Sequence, residues 1–252
     1  MSKWKRALVF ALCLLPVAIV GGIFAGLFQM DSYPEEIFAE AIAQVGSVEA
    51  MLLIVALQSA GYALFCGLFG YLLADAVGLW KPLRWAPRSF LITLAVSLVG
   101  GVLFSLDHWT FGSVIDGIQE GNLQALSVNG VIASVLYGGV VEEVMLRLFF
   151  LSLLAFVLWK IFFRKHPRES IPTCVFIIAN VIAAILFAAG HLPATAVLFG
   201  ELTPLLLFRC FLLNGGFGLV FGWLYRKYGI AYAMMGHALF HVVCKIVLLI
   251  FA

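Results

Sequence analysis

Seven stretches of 18 to 24 mostly apolar residues succeed one another along the chain, and that spacing leaves few folds open. They are Ala7–Met30, Ala50–Leu73, Ser89–Leu106, Val140–Phe163, Ile171–Gly190, Leu205–Tyr225 and Ala231–Ala252. A helix crosses a bilayer with about 20 apolar residues, whereas a barrel strand needs only about 9–11. Lipid offers the backbone no hydrogen-bond partners, so segments of this length must be helices that satisfy themselves. Composition agrees: 64% of the residues are hydrophobic and 11% charged, against about 25% charged in a soluble domain. The expectation is an all-α polytopic transmembrane helical bundle of about seven spans, with a buried polar cavity. No internal repeat, low-complexity tract or linker divides it, so residues 1–252 read as a single integral membrane domain.

The loops alternate in charge. Lys3, Lys5 and Arg6, then Lys81, Arg84 and Arg88, then Lys160, Arg164, Lys165 and Arg168, then Arg226 and Lys227 mark every second loop. The intervening loops hold Asp31, Glu35, Glu36, Glu40, Asp107, Asp116, Glu120 and Glu201 without a lysine or arginine. The positive-inside rule then predicts a cytoplasmic N-terminus and an external C-terminus. The first apolar run exceeds the 7–15 residues of a signal-peptide core, so it is expected to stay as a helix. The compact chain suits a bacterial plasma membrane. A net charge of +2 spread over loops gives no nucleic-acid footprint; the expected surroundings are membrane lipid. Five single cysteines without metal-ligand spacing read as small hydrophobes.

Two segments break the pattern. Residues 130–163 make 34 mostly apolar positions, about 51 Å as one helix. Gly138-Gly139 predicts a break there, which would raise the count to eight spans. Leu212-Leu213-Asn214-Gly215-Gly216 predicts a kink in the sixth.

The first of these also holds Glu142, Glu143 and Arg147. A charge at the bilayer centre costs at least about 2.5–3.5 kcal/mol, and such residues face inward and mark function. Successive helix positions are about 100° apart, so the two carboxylates point differently. Glu143 and Arg147, four apart, are placed for an ion pair, which frees Glu142 to serve as a general base. An ion cluster that merely locks helices together is the plainer alternative. His191 ends an apolar helix just before a proline, with Phe187 one turn earlier on the same face. His237 and His241, also four apart, share a face deep in the last segment. They could orient an oxyanion, or supply two ligands of a zinc site that Glu142 or His191 completes. Counted from the loops, Glu142 and His191 fall in the outer half of the bilayer, with His237 about 14 Å from the inner loop. Arg209 and Lys245 are the other charges well inside spans. Lys245 is expected to snorkel outward; Arg209 either pairs with a carboxylate or reaches the interface. His108 and His166, placed in loops, receive no role.

Taken in order, Glu142-Glu143-x-x-x-Arg147, Phe187-x-x-x-His191 and His237-x-x-x-His241 resemble the CPBP family of intramembrane endopeptidases, which includes type II CAAX prenyl proteases and bacteriocin-processing or immunity proteins. The run Gly218–Arg226 before the last helix is similar as well. The resemblance covers about residues 130–245, the expected catalytic core. It implies that Glu142 and His191 activate a water, that His237 and His241 hold the oxyanion, and that Glu143, Arg147 and Phe187 support the site. There would be no covalent enzyme intermediate. The family is described as glutamate-dependent and has also been labelled metalloprotease. The metal-free version is preferred, with no cofactor; a zinc version would draw on Glu142, His191, His237 and His241. At its last position the family often has Asn or Asp, and this chain has His241. The implied partner is a peptide or membrane-protein substrate, prenylated or not. The rival expectations are a proton- or ion-coupled transporter and a non-catalytic, partner-binding member of the same fold.

Overall fold

The computed structural model describes residues 1–252, and it is all-helical. Seven helices are long and apolar enough to cross a membrane: Lys3–Ser32, Val48–Ala76, Pro87–Ser113, Val128–Phe162, Thr173–Phe199, Pro204–Tyr228 and Ile230–Phe251. Ser2, Ser47, Ser127 and Thr203 cap four of them by accepting a backbone N–H two or three residues into the helix. Outside the spans lie the amphipathic helix Glu35–Val45 and the short helix Ile118–Gln124.

The bundle divides its work. The first and second spans pack most extensively on each other, and the third on the seventh. The fourth runs through the middle, touching the second, fifth, sixth and seventh as well as the first. The buried core follows it, with Val144, Leu148, Leu151 and Ala155 against Ala179, Phe221, Leu224, Tyr225 and Phe240. Large apolar side chains such as Leu53, Leu57, Phe65, Leu91, Ile177 and Leu249 are exposed, as a lipid-facing surface requires.

The fourth span does not break at Gly138-Gly139. It stays continuous but widens into π-helix over Ser134–Glu142 and again over Val144–Leu151. The glycines serve close approach instead. A Cβ on Gly139 would lie 2.8 Å from the Ala238 side chain and 3.0 Å from its Cα, and one on Gly138 would lie 3.3 Å from His241 Nε2. Their bare backbone is what lets the fourth and seventh spans touch, so the seven-span count holds and the eighth span disappears. The expected kink in the sixth span is likewise a π-turn, Phe211–Gly215. π-bulges occur often at functional sites.

Three charge placements change. Asp107 is not a solvated loop residue: it is 2% exposed, and Arg209 binds it through two hydrogen bonds of 2.7 and 2.6 Å. Asn122 from the short helix donates to the same carboxylate at 3.1 Å, so this pair ties three segments together. His108 is buried beside it. Lys245, expected to snorkel outward, instead donates from its Nζ to Ser134 Oγ of the neighbouring helix at 2.9 Å.

Candidate active site

One cavity of about 390 Å³ is lined by Glu142, His191, His237 and His241, together with Phe187, Tyr137, Gly138, Ser134, Asn214, Phe217 and Phe221. It extends past Phe28, Gln29, Tyr33, Gln124 and Leu198 towards the ends of the first and fifth spans. Four polar groups from three helices, separated by up to 99 positions in the chain, therefore border a single space.

The fourth span sets the arrangement. Glu142 and Glu143 do point apart: Glu142 is half-buried and borders the cavity, whereas Glu143 is 0% exposed. Glu143 Oε1 lies 2.9 Å from Arg147 Nη1 and accepts from His237 Nδ1 at 2.9 Å. Arg147 Nη2 donates to Gly218 O at 3.3 Å, and its guanidinium sits over the Phe187 ring at 4.4 Å. The ion pair is thus held against the fifth, sixth and seventh spans, with Glu143 Oε2 buried and unbonded, and it leaves Glu142 without a cation. Buried ions persist only when paired and hydrogen-bonded in this way.

The histidines have fixed orientations. His191 Nδ1 lies 2.8 Å from Phe187 O; a carbonyl only accepts, so Nδ1 carries the hydrogen and Nε2 is left as an acceptor. His237 is fixed by the same logic, with Nδ1–H donated to Glu143. Its ring stacks on Phe221 at 4.3 Å. The Nε2 of neutral His237 is then an acceptor too, and His241 Nε2–H, 3.1 Å away, donates to it. His237 touching Glu143 shows that the fourth and seventh helices meet at the height of the site, so the groups counted to different depths from the loops do come together.

The zinc expectation meets a geometric obstacle. No group of three or more His, Cys, Asp or Glu side chains is arranged to hold a metal ion. His237 and His241 turn two nitrogens towards each other, but Glu142 and His191 do not join them as further ligands.

Tyr137 and Asn214 are among the cavity residues that escaped sequence reading. Tyr137 precedes Glu142 by five positions, which an α-helix would set on another face and a π-helix brings onto the same side. Asn214 was noticed only as part of a kink, although a carboxamide in an apolar span beside two glycines is itself a polar signal.

Residues 123–243 match the family model described as type II CAAX prenyl endopeptidase Rce1-like. This stretch of the chain is therefore similar to that family. The match embraces Glu142, Glu143, Arg147, Phe187, His191, His237 and His241, and it begins just before the helix that carries the carboxylates. No curated protein and no solved structure matches the chain. With its seven membrane-length helices, the protein is an integral multi-pass membrane protein, and its matched stretch is similar to CAAX-type endopeptidases.

Proposed function

We propose that the protein hydrolyses a peptide bond inside its membrane cavity by direct attack of a water held between Glu142 and His191. The observation that carries this reading is the shared lining: a carboxylate without a cation and three imidazoles border one space. His191 offers Nε2 to one water hydrogen, since its Nδ1–H is engaged by Phe187 O. Glu142 takes the water proton as the oxygen attacks the carbonyl carbon. The π electrons of the carbonyl move onto its oxygen, and His241 swings its Nε2–H from His237 to that oxyanion. The C–N bond then breaks, the carbonyl re-forms, and the leaving nitrogen takes the proton that Glu142 held.

Glu143 acts through His237. By accepting Nδ1–H it fixes the tautomer whose Nε2 keeps His241 in place before substrate arrives. Arg147 pairs with Glu143 and holds its carboxylate in position for that task. No metal takes part in any of these steps. The apolar reach of the cavity past Phe28, Phe217 and Leu198 accommodates a lipid-modified or membrane-embedded peptide. The alternation of basic loops supports a cytoplasmic N-terminus.

The test is cleavage of two quenched-fluorescent peptides, identical except for a farnesyl group on their cysteine, by the purified protein in detergent micelles. Glu142→Gln should abolish cleavage without changing thermal stability. Wild-type cleavage should survive a strong chelator. Full activity in Glu142→Gln, or loss on chelation that zinc restores, would overturn the mechanism.

A further inference from the structure

We propose that Asn214, on the π-turn of the sixth span, is a second donor to the oxyanion. This inference rests on the peptidase reading above and adds a catalytic residue to it.

The hydrogen inventory raises the need. In the neutral His237–His241 pair both inward N–H bonds are committed: Nδ1–H of His237 to Glu143, and Nε2–H of His241 to His237. One hydrogen can be re-aimed at an oxyanion, that of His241, because His237 must keep its own for Glu143. His241 is an imidazole, which when neutral has one N–H to give. Sites of this type place preorganised donors where charge develops, and here one donor is missing from the seventh span.

Asn214 stands where it could be replaced. It borders the same cavity as Glu142, His191 and His241. Its height follows from its neighbours. On the sixth span Phe221 stacks on His237, and Phe217 meets Phe240 with centroids 4.5 Å apart. The sixth and seventh spans run antiparallel, so continuing upward brings Asn214 within one turn of His241. Against the fifth span, Gly218 packs on Ala184 and Gly215 on Ala188, which sets Asn214 within one turn of His191. It therefore lies between the levels of the water-holding and oxyanion-holding histidines.

Its carboxamide is also available. The one hydrogen bond its Nδ2 makes is a weak one, 3.5 Å to the sulfur of Cys210, which leaves a strong donor in hand. The π-turn over Phe211–Gly215 inserts it into the lining while Gly218, one turn on, keeps its carbonyl for Arg147. As the scissile carbonyl oxygen gains charge, Asn214 Nδ2–H donates from the sixth span and His241 Nε2–H from the seventh; Asn214 itself exchanges no proton.

The measurement uses the full-length protein in micelles with the farnesylated peptide. Removing one oxyanion donor costs about 10²–10³ in kcat; Asn214→Ala should fall in that range with KM within about threefold of wild type. Asn214→Asp, equal in shape and without a donor once its carboxyl is ionised, should be at least as slow when assayed at alkaline pH. A peptide aldehyde, which mimics the tetrahedral state as its hydrate, should bind Asn214→Ala weakly, while the matching peptide amide binds both forms alike. Thermal melting in the same detergent reports whether each variant folds. Cleavage by Asn214→Asp at the wild-type rate, or equal loss of affinity for aldehyde and amide, would overturn the assignment. Glu142→Gln serves as the separate control: its loss of cleavage beside an unaffected Asn214→Asp sinks the role of Asn214 and leaves the water mechanism standing.

Discussion

Two arginine–carboxylate pairs are buried in this bundle, and they differ in what stands next to them. Arg209 and Asp107 meet through two short hydrogen bonds, take a third from Asn122, and join the third span, the sixth span and a short surface helix. Arg147 and Glu143 are buried more deeply, at 2% and 0% exposure, but their carboxylate also receives His237. Beside them Glu142 borders open space. The first pair is complete in itself. The second hands its orientation on to a ring, and through that ring to another. A buried ion pair is therefore no mark of chemistry on its own; the distinguishing sign is an unpaired group of the same kind one residue away.

This contrast can be broken by substitution. The largest effect is expected at Glu142. Positioned general bases contribute about 10²–10⁴ in rate, so Glu142→Gln should lower kcat by that factor while the melting temperature stays put. Next come the pairs. Arg147→Met or Arg209→Met leaves a buried carboxylate without its cation, a loss of about 3–5 kcal/mol, to be read from denaturation in mixed micelles. Arg209 is the more exposed of the two and should lie at the lower end. Neutralising both partners should restore most of the stability in each case. The double variant Asp107→Asn/Arg209→Met should then cleave peptide normally, whereas Glu143→Gln/Arg147→Met should stay slow because His237 has lost its acceptor. Equal activity in the two doubles would erase the distinction.

A smaller effect is expected at the helix contact. Gly139→Ala inserts a methyl where 2.8 Å separates it from Ala238; overpacking of this kind costs about 1–3 kcal/mol, and the parted helices should slow cleavage as well. The smallest concerns a cation outside the spans. Lys81 donates to the carbonyls of Arg226 and Lys227 at 2.7 and 2.8 Å, and its ammonium is held below the usual lysine range by burial and by the charges of Lys227 and Arg226. The folded protein then binds fewer protons here than the unfolded chain does, so stability should rise as pH climbs towards about 10.5 and level off beyond it. Lys81→Met should flatten that rise in a series of melting curves.

Much of this was legible in the sequence, for definite reasons. The apolar runs revealed the spans because lipid permits so few alternatives, and the i,i+4 spacing of Glu143 and Arg147 revealed their pair. The fate of Gly138-Gly139 was not legible, since a glycine pair weakens a helix and admits a neighbour equally well; which happens depends on whether Ala238 lies opposite. Asp107 looked like a loop acid because its partner sits 102 positions away. The His237–Glu143 bond spans 94 positions and could not be read from local spacing. It decides which ring nitrogen is free, and with it the distribution of donors in the cavity.

The widened turns of the fourth span have a consequence for how this protein can vary in length. A helix in that state holds one residue more per stretch than a regular one could, so it tolerates a shortening that elsewhere would be ruinous. Deleting Leu136 should let the segment relax to ordinary helix and carry the rest of the span along intact. The flanking parts would keep their relative facing, because the widened turns had absorbed the surplus residue. Positions inside them would shift instead: Tyr137 would turn about 140° away from Glu142, so the cavity lining would change through the loss of a leucine that takes no part in the reaction.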